Sequence, residues 1–219
     1  MEVNMTKAKE RESSVKSIII IILYFILPYI INFISSSNVF SITAYAVFAL
    51  LLIFLYRDTF IKDFKDIWKN KARAIKTIVI GVVAIFFVMI FVNAIVQIVF
   101  DIKETSENDY SLLTMFKRSP LVLMLLTCLY YPVVEGIVFR KTIRDVIDNK
   151  WIFIIFSSLF YFFFNIVYTS MSFTTIMSSI CYITTMMILS YIYWKNNNFS
   201  ITVIILMLYN LIISLISFL

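Results

Sequence analysis

The 219-residue chain contains no histidine. Chemistry that needs an imidazole to carry a proton near neutral pH, or to orient a reacting group, is therefore excluded. Two glycines and three prolines leave little material for flexible linkers. Only 15% of residues are charged, against about a quarter in soluble domains. Cysteine is scarce too. Cys128 and Cys181 both fall in apolar runs and read as small buried hydrophobes rather than a disulfide or a metal pair. No cofactor and no metal is expected.

What is present is mostly hydrocarbon. The chain is 62% hydrophobic, with a mean hydropathy of +0.95. That composition predicts an all-α, polytopic transmembrane bundle, with most of the surface facing a lipid bilayer. The net charge of +6 does not indicate nucleic acid, because the basic residues flank apolar segments and form no autonomous basic domain.

A spanning helix needs about 20 mostly apolar residues. Seven segments approach this: 17–34, 41–56, 77–100, 119–139, 151–168, 172–194 and 199–219, of which the second is shortest. A charged tail, 1–16, precedes the first. It shows no small-residue cleavage site, so the first helix is expected to be retained. The remainder, 17–219, reads as a single transmembrane domain. Asn196, Asn197 and Asn198 read as the turn between the last two spans.

Lysine and arginine set the expected orientation. Lys7, Lys9, Arg11 and Lys16 lie in the tail. Arg57, Lys62, Lys65, Lys69, Lys71, Arg73 and Lys76 follow span two. Arg140, Lys141, Arg144 and Lys150 follow span four, and Lys195 follows span six. Opposite these sixteen stand Lys103, Lys117 and Arg118. The imbalance predicts a cytoplasmic N-terminus, an external C-terminus and an odd number of spans. The connection 57–76 mixes Phe60, Ile61, Phe64, Ile67 and Trp68 with its charges, as in an amphipathic helix lying on headgroups. The alternative is a basic loop that only sets topology. The basic cytoplasmic face predicts a preference for anionic lipid.

Few polar groups interrupt the spans. Asn93 and Gln97 lie one turn apart, as do Tyr161 and Asn165; Tyr209 and Asn210 are adjacent. Such amides commonly join helices in membranes. Glu135 is more unusual. A carboxylate near the centre of a spanning helix costs at least ~2.5 kcal/mol, so a partner or a use is expected. Arg140 is the nearest cation in sequence, but residues five apart lie about 140° around an α-helix. A direct pair would need bending or snorkelling.

The segment Pro132-Val133-Val134-Glu135-Gly136-Ile137-Val138-Phe139-Arg140 resembles the first motif of the CAAX-type intramembrane protease family, also called CPBP or Abi. That motif reads Glu-Glu-x-x-x-Arg, usually with Phe before Arg. Here the second Glu is Gly136. The second motif, Phe-x-x-x-His, commonly follows paired serines. Its counterpart runs from Ser157 and Ser158 to Tyr161 and Asn165, with Asn165 in the place of His. The third, His-x-x-x-Asn, is matched by Leu206 and Asn210, with Leu206 in the place of His. The resemblance covers about 105–219.

The resemblance implies an intramembrane endopeptidase fold in which Glu135 would activate water, with Arg140, Asn165 and Asn210 at vestigial catalytic positions. The missing imidazoles and the missing second Glu imply loss of the catalyst, since removing one oxyanion donor alone typically lowers rates by about 10²–10³. The expected function is therefore that of a pseudoprotease, a binding or scaffold protein for a membrane or envelope partner. Relatives in Gram-positive bacteria are associated with bacteriocin immunity and cell-surface display. The alternative is an active endopeptidase with a residual Glu/Asn/Asn site. A small transporter or channel is a third reading. It finds only one acid in the spans and no pair of Gly/Pro-broken segments.

Overall fold

A computed structural model describes residues 2–35, 37–100, 120–167 and 172–216, and all regular structure among them is helical. The loop holding Lys103, Lys117 and Arg118 lies outside the described residues, as do the side chains of Lys7, Lys9 and Arg11. We number the helices α1 (Glu2–Ile34), α2 (Asn38–Leu55), α3 (Arg57–Lys69), α4 (Lys71–Phe100), α5 (Pro120–Val146), α6 (Lys150–Val167), α7 (Phe173–Ser178), α8 (Ile180–Asn196) and α9 (Phe199–Ile216).

Among the described residues, six stretches are long and apolar enough to cross a membrane: Ser13–Ile34, α4, α5, α6, Phe173–Asn196 and α9. The second expected span, α2, reaches that standing only together with α3, from which it is bent by 67°. The expected seven thus becomes six, or seven if this bent pair counts as one. The expected tail is already helical from Glu2, so α1 runs unbroken for 33 residues. The sixth span is broken at Ser179, between α7 and α8.

The outer surface carries exposed Ile, Leu, Val and Phe on nearly every spanning helix, as a bilayer-facing surface requires. Inside, one apolar cluster joins Ile20, Tyr24, Leu52, Val134, Phe139, Phe153 and Phe199. A second joins Ala74, Ile85, Met186, Leu189, Ile205 and Leu206. Gly81 lets α4 approach α9, since a Cβ there would stand 2.5 Å from Ile205 Cδ1. Small residues serve this purpose where helices pack in lipid. Cys128 and Cys181 are buried thiols outside any disulfide. Cys181 Sγ donates to Asn93 Oδ1 at 3.0 Å and so links α8 to α4. Gln97, one turn further, is exposed.

The expected amphipathic helix forms as α3 and docks on the start of α9. Asn197 adopts a left-handed conformation (φ 47°) that ends α8. Asn198 then starts α9, its Oδ1 accepting from Ile201 N–H at 3.1 Å, as an N-cap side chain does. The same side chain donates through Nδ2 to the Asp63 carbonyl at 3.0 Å and to Asp66 Oδ2 at 3.2 Å. Asp63 Oδ2 accepts from Ser200 N–H at 2.9 Å. A carboxylate at a helix N-terminus satisfies orphan N–H groups and complements the helix dipole. Asp63, an acid on what reads as a surface helix, is thus buried as a bolt between α3 and α9.

Burial pushes the Asp63 carboxyl above the ordinary carboxylate range, against the N–H groups of Ser200 and Phe199, which favour the charged form. A folded pKa above the unfolded value gives stability that is full below the unfolded pKa, about 3.9, and is lost as pH rises through the folded value. Thermal unfolding in detergent should therefore show Asp63→Asn gaining on the wild type as pH rises through that window. Asp63→Ala, which removes the acceptor, should lose about 1–2 kcal/mol at every pH.

Candidate functional site

The site is built on α5, which is not a plain α-helix. Two turns are widened to π geometry, Leu126–Tyr130 and Ile137–Lys141. Tyr131 N–H bonds the Leu126 carbonyl and Thr142 N–H bonds the Ile137 carbonyl, each five residues back. Neighbouring side chains brace both turns. Asn210 Nδ2 donates to the Thr127 carbonyl at 2.6 Å. Ser157 Oγ donates to the Phe139 carbonyl and lies 2.9 Å from Ser190 Oγ, while Thr142 Oγ1 donates to the Val138 carbonyl. Such turns recur at functional sites and are rare elsewhere.

Glu135 sits between the two widened turns and is 7% exposed. The Tyr161 hydroxyl lies near its carboxylate and acts on it electrostatically. Asn165, one turn along α6, donates through Nδ2 to the Tyr161 carbonyl at 2.8 Å, and its side chain also reaches the Tyr161 hydroxyl. A connected run of Glu135, Tyr161 and Asn165 results. Tyr24, Tyr130 and Tyr131 complete a phenolic surround within electrostatic range of the carboxylate.

Arg140 is fully buried. Among the described residues, none of its three guanidinium nitrogens has a hydrogen-bond partner. Glu135 is the acid that acts on it electrostatically. In a plain α-helix the two would diverge by about 140°. The π turn between them, with its five-residue bonding, brings residues five apart toward one face. Charges this deep are tolerated only when they compensate one another.

The replaced motif positions are filled with hydrocarbon. A Cβ on Gly136 would stand 2.9 Å from Phe199 Cε2 and 3.0 Å from Val203 Cγ2. A larger side chain there meets α9 directly. Leu206 is buried in the second apolar cluster, against which Tyr161 also packs. Asn210 stands apart. Its amide is held by Thr127, eight residues from Glu135, or roughly 12 Å along the helix axis.

A polar cavity of about 790 Å³ opens at the end of α5, lined among others by Ser13, Lys62, Asp63, Arg144, Asp145 and Tyr193. None of Glu135, Arg140, Asn165 and Asn210 lines it. Phe199 and Tyr193 do, with ring centroids 6.4 Å apart, and Phe199 also lies against Gly136. Around the rim the charges are paired. Lys141 bridges Asp145, and Arg144 bridges Asp148 at 3.1 Å while stacking on Trp194 at 4.0 Å.

The structure thus brings Tyr161 beside Glu135 with Asn165 bonded to Tyr161, sets Arg140 within electrostatic range of Glu135, and holds Asn210 at Thr127. Sequence reasoning passed over the tyrosine surround. Tyr131, four residues before Glu135, was readable from helical spacing. Tyr24, on α1, left no local signal.

Two linked outcomes follow. Glu135→Leu leaves Arg140 without its opposing charge and should destabilise the protein by about 3–5 kcal/mol, whereas Glu135→Leu with Arg140→Met should recover most of that loss. Detergent thermal melts of the single and double variants check this. Gly136→Ala should lower stability by about 1–3 kcal/mol through overpacking against α9, with partial relief in Val203→Ala.

Comparison with known proteins agrees with this architecture. A family model described as type II CAAX prenyl endopeptidase Rce1-like matches residues 117–212. No curated protein and no solved structure gives a significant match. The matched stretch takes in the motif segment of α5, the Ser157–Asn165 face of α6 and the Leu206–Asn210 turn of α9. The chain is a multi-pass membrane protein, and its residues 117–212 are similar to the Rce1-like type II CAAX prenyl endopeptidases.

Proposed function

We propose that this protein is a catalytically silent relative of the intramembrane CAAX proteases, one that binds a membrane or envelope partner instead of cleaving it. The observation that carries the reading is the closure of the Glu135 site. The carboxylate is buried, with the Tyr161 hydroxyl beside it and further phenols around it. The positions that would supply a second acid and an imidazole hold Gly136 and Leu206. Peptide hydrolysis needs a base that can reach a water, and donors aimed at the oxyanion. Asn210, the remaining amide of the third motif position, donates to a backbone carbonyl instead.

The polar cavity at the end of α5 is the place where a partner segment would engage. Its lining carries acids and bases from α3 and the end of α5, with Lys141 paired to Asp145 and Arg144 to Asp148, a pattern that favours a polar, mixed-charge segment over a purely apolar one. In this reading the N-terminus and the cavity face the cytoplasm, as the sixteen basic residues favour. Immunity to a bacteriocin by shielding or recruiting an envelope protein is one activity such a binder would confer.

A residual endopeptidase is separated by direct measurement. Detergent-solubilised protein incubated with prenylated and unprenylated peptides should release no product above background. Cleavage that disappears in Glu135→Ala would overturn the silent reading. Expressed in a bacteriocin-sensitive strain, the wild type and the compensated variant Glu135→Leu with Arg140→Met should protect equally; protection confined to the wild type, with both proteins present in the membrane at the same level, would assign it to catalysis.

A further inference from the structure

α3 has three faces, not two. Successive residues on a helix turn by about 100°. Phe60, Asp63 and Ile67 share one side, and this side docks on the bundle. Phe60 stacks edge-on against Phe199 with centroids 5.1 Å apart, Asp63 accepts from Ser200, and Ile67 packs against the second apolar cluster. Next around the helix come Ile61, Phe64 and Trp68, exposed by 51%, 45% and 67%. Beyond them stand Lys65, Lys69 and Lys62, all exposed.

The order of these faces is that of a helix lying in the plane of a membrane surface. An apolar strip reaches acyl depth, and lysines beside it meet the headgroups. The bolt to α9 fixes this orientation. The elbow between α3 and α4 adds to the basic side. Lys71 holds its ammonium 4.1 Å from the Trp68 ring centroid, and Arg73 and Lys76 follow, exposed, in the first turns of α4. The nearby acids are engaged elsewhere. Asp66 accepts from Asn70 and Asn198, and Asp58 pairs with Arg57 at 3.4 Å. Net positive charge therefore collects around an indole, a side chain suited to headgroup depth.

We propose that the α3–α4 elbow, formed by Lys65, Trp68, Lys69 and Lys71, is a binding site for the phosphate of anionic phospholipids in the leaflet on which α3 lies. Charge complementarity selects the anionic headgroup, and the exposed strip of Ile61, Phe64 and Trp68 continues the lipid-facing surface of the spans. The site stands independently of Glu135 and of any catalytic state.

The test uses the purified full-length protein in detergent, with phosphatidylglycerol, phosphatidylcholine or inorganic phosphate added in separate arms. Lipid retention is read by native mass spectrometry and thermal stabilisation by unfolding curves. Phosphatidylglycerol should be retained in preference to phosphatidylcholine, and the preference should weaken with salt. Each lysine near an anionic surface is worth roughly fivefold. The preference should therefore fall on the order of 10²-fold in Lys65→Gln/Lys69→Gln/Lys71→Gln and persist when the same positions carry Arg. The Arg variant keeps the test decisive should the Gln variant fail to fold. Equal retention of both lipids, or an undiminished preference in a folded Gln variant, overturns the site. Stabilisation by inorganic phosphate alone overturns the assignment to lipid.

Discussion

Within lipid a backbone carbonyl has no water to turn to, and the rest of this structure follows from how α5 meets that constraint. Its two widened turns are braced by Asn210, Ser157 and Thr142. These partners come from α9, from α6 and from α5 itself. Serine and asparagine, which read as motif remnants, thus act as structural donors. The widening in turn sets where Glu135 and Arg140 point. Backbone satisfaction, helix packing and the arrangement of the buried charges are therefore one problem with one solution.

The side chains packed around the Glu135 segment are largely apolar. Gly136 is overlain by Phe199 and Val203, and Leu206 belongs to a cluster with Met186 and Leu189. Apolar surroundings strengthen the electrostatic contact between Glu135 and Tyr161.

Much of the architecture was legible in the chain. Apolar runs gave the spans, and the short second run proved to be the bent one. Three successive asparagines gave a turn, with Asn197 left-handed and Asn198 capping α9. The spacing of Tyr161 and Asn165 placed them on one face, where Tyr161 comes beside Glu135. The π turns were not legible, because nothing in Leu126–Tyr130 or Ile137–Lys141 distinguishes five-residue from four-residue bonding. The donors that settle it lie as far as 83 positions away in sequence. The role of Asp63 was not legible for a related reason. On α3 alone it is one charge among many, and only the approach of α9 makes it a cap. Asn210 kept its motif spacing, yet spacing along α9 does not say which turn of α5 it meets.

The bolt between α3 and α9 also bears on biosynthesis. Ser200 follows Asp63 by 137 positions, so a growing chain inserts α3 long before its anchor has left the ribosome. Until then the acid faces solvent or headgroups with nothing to cap. Chains interrupted ahead of α9 would carry that unfinished joint, a feature by which a membrane quality-control protease can tell an incomplete copy from a finished one.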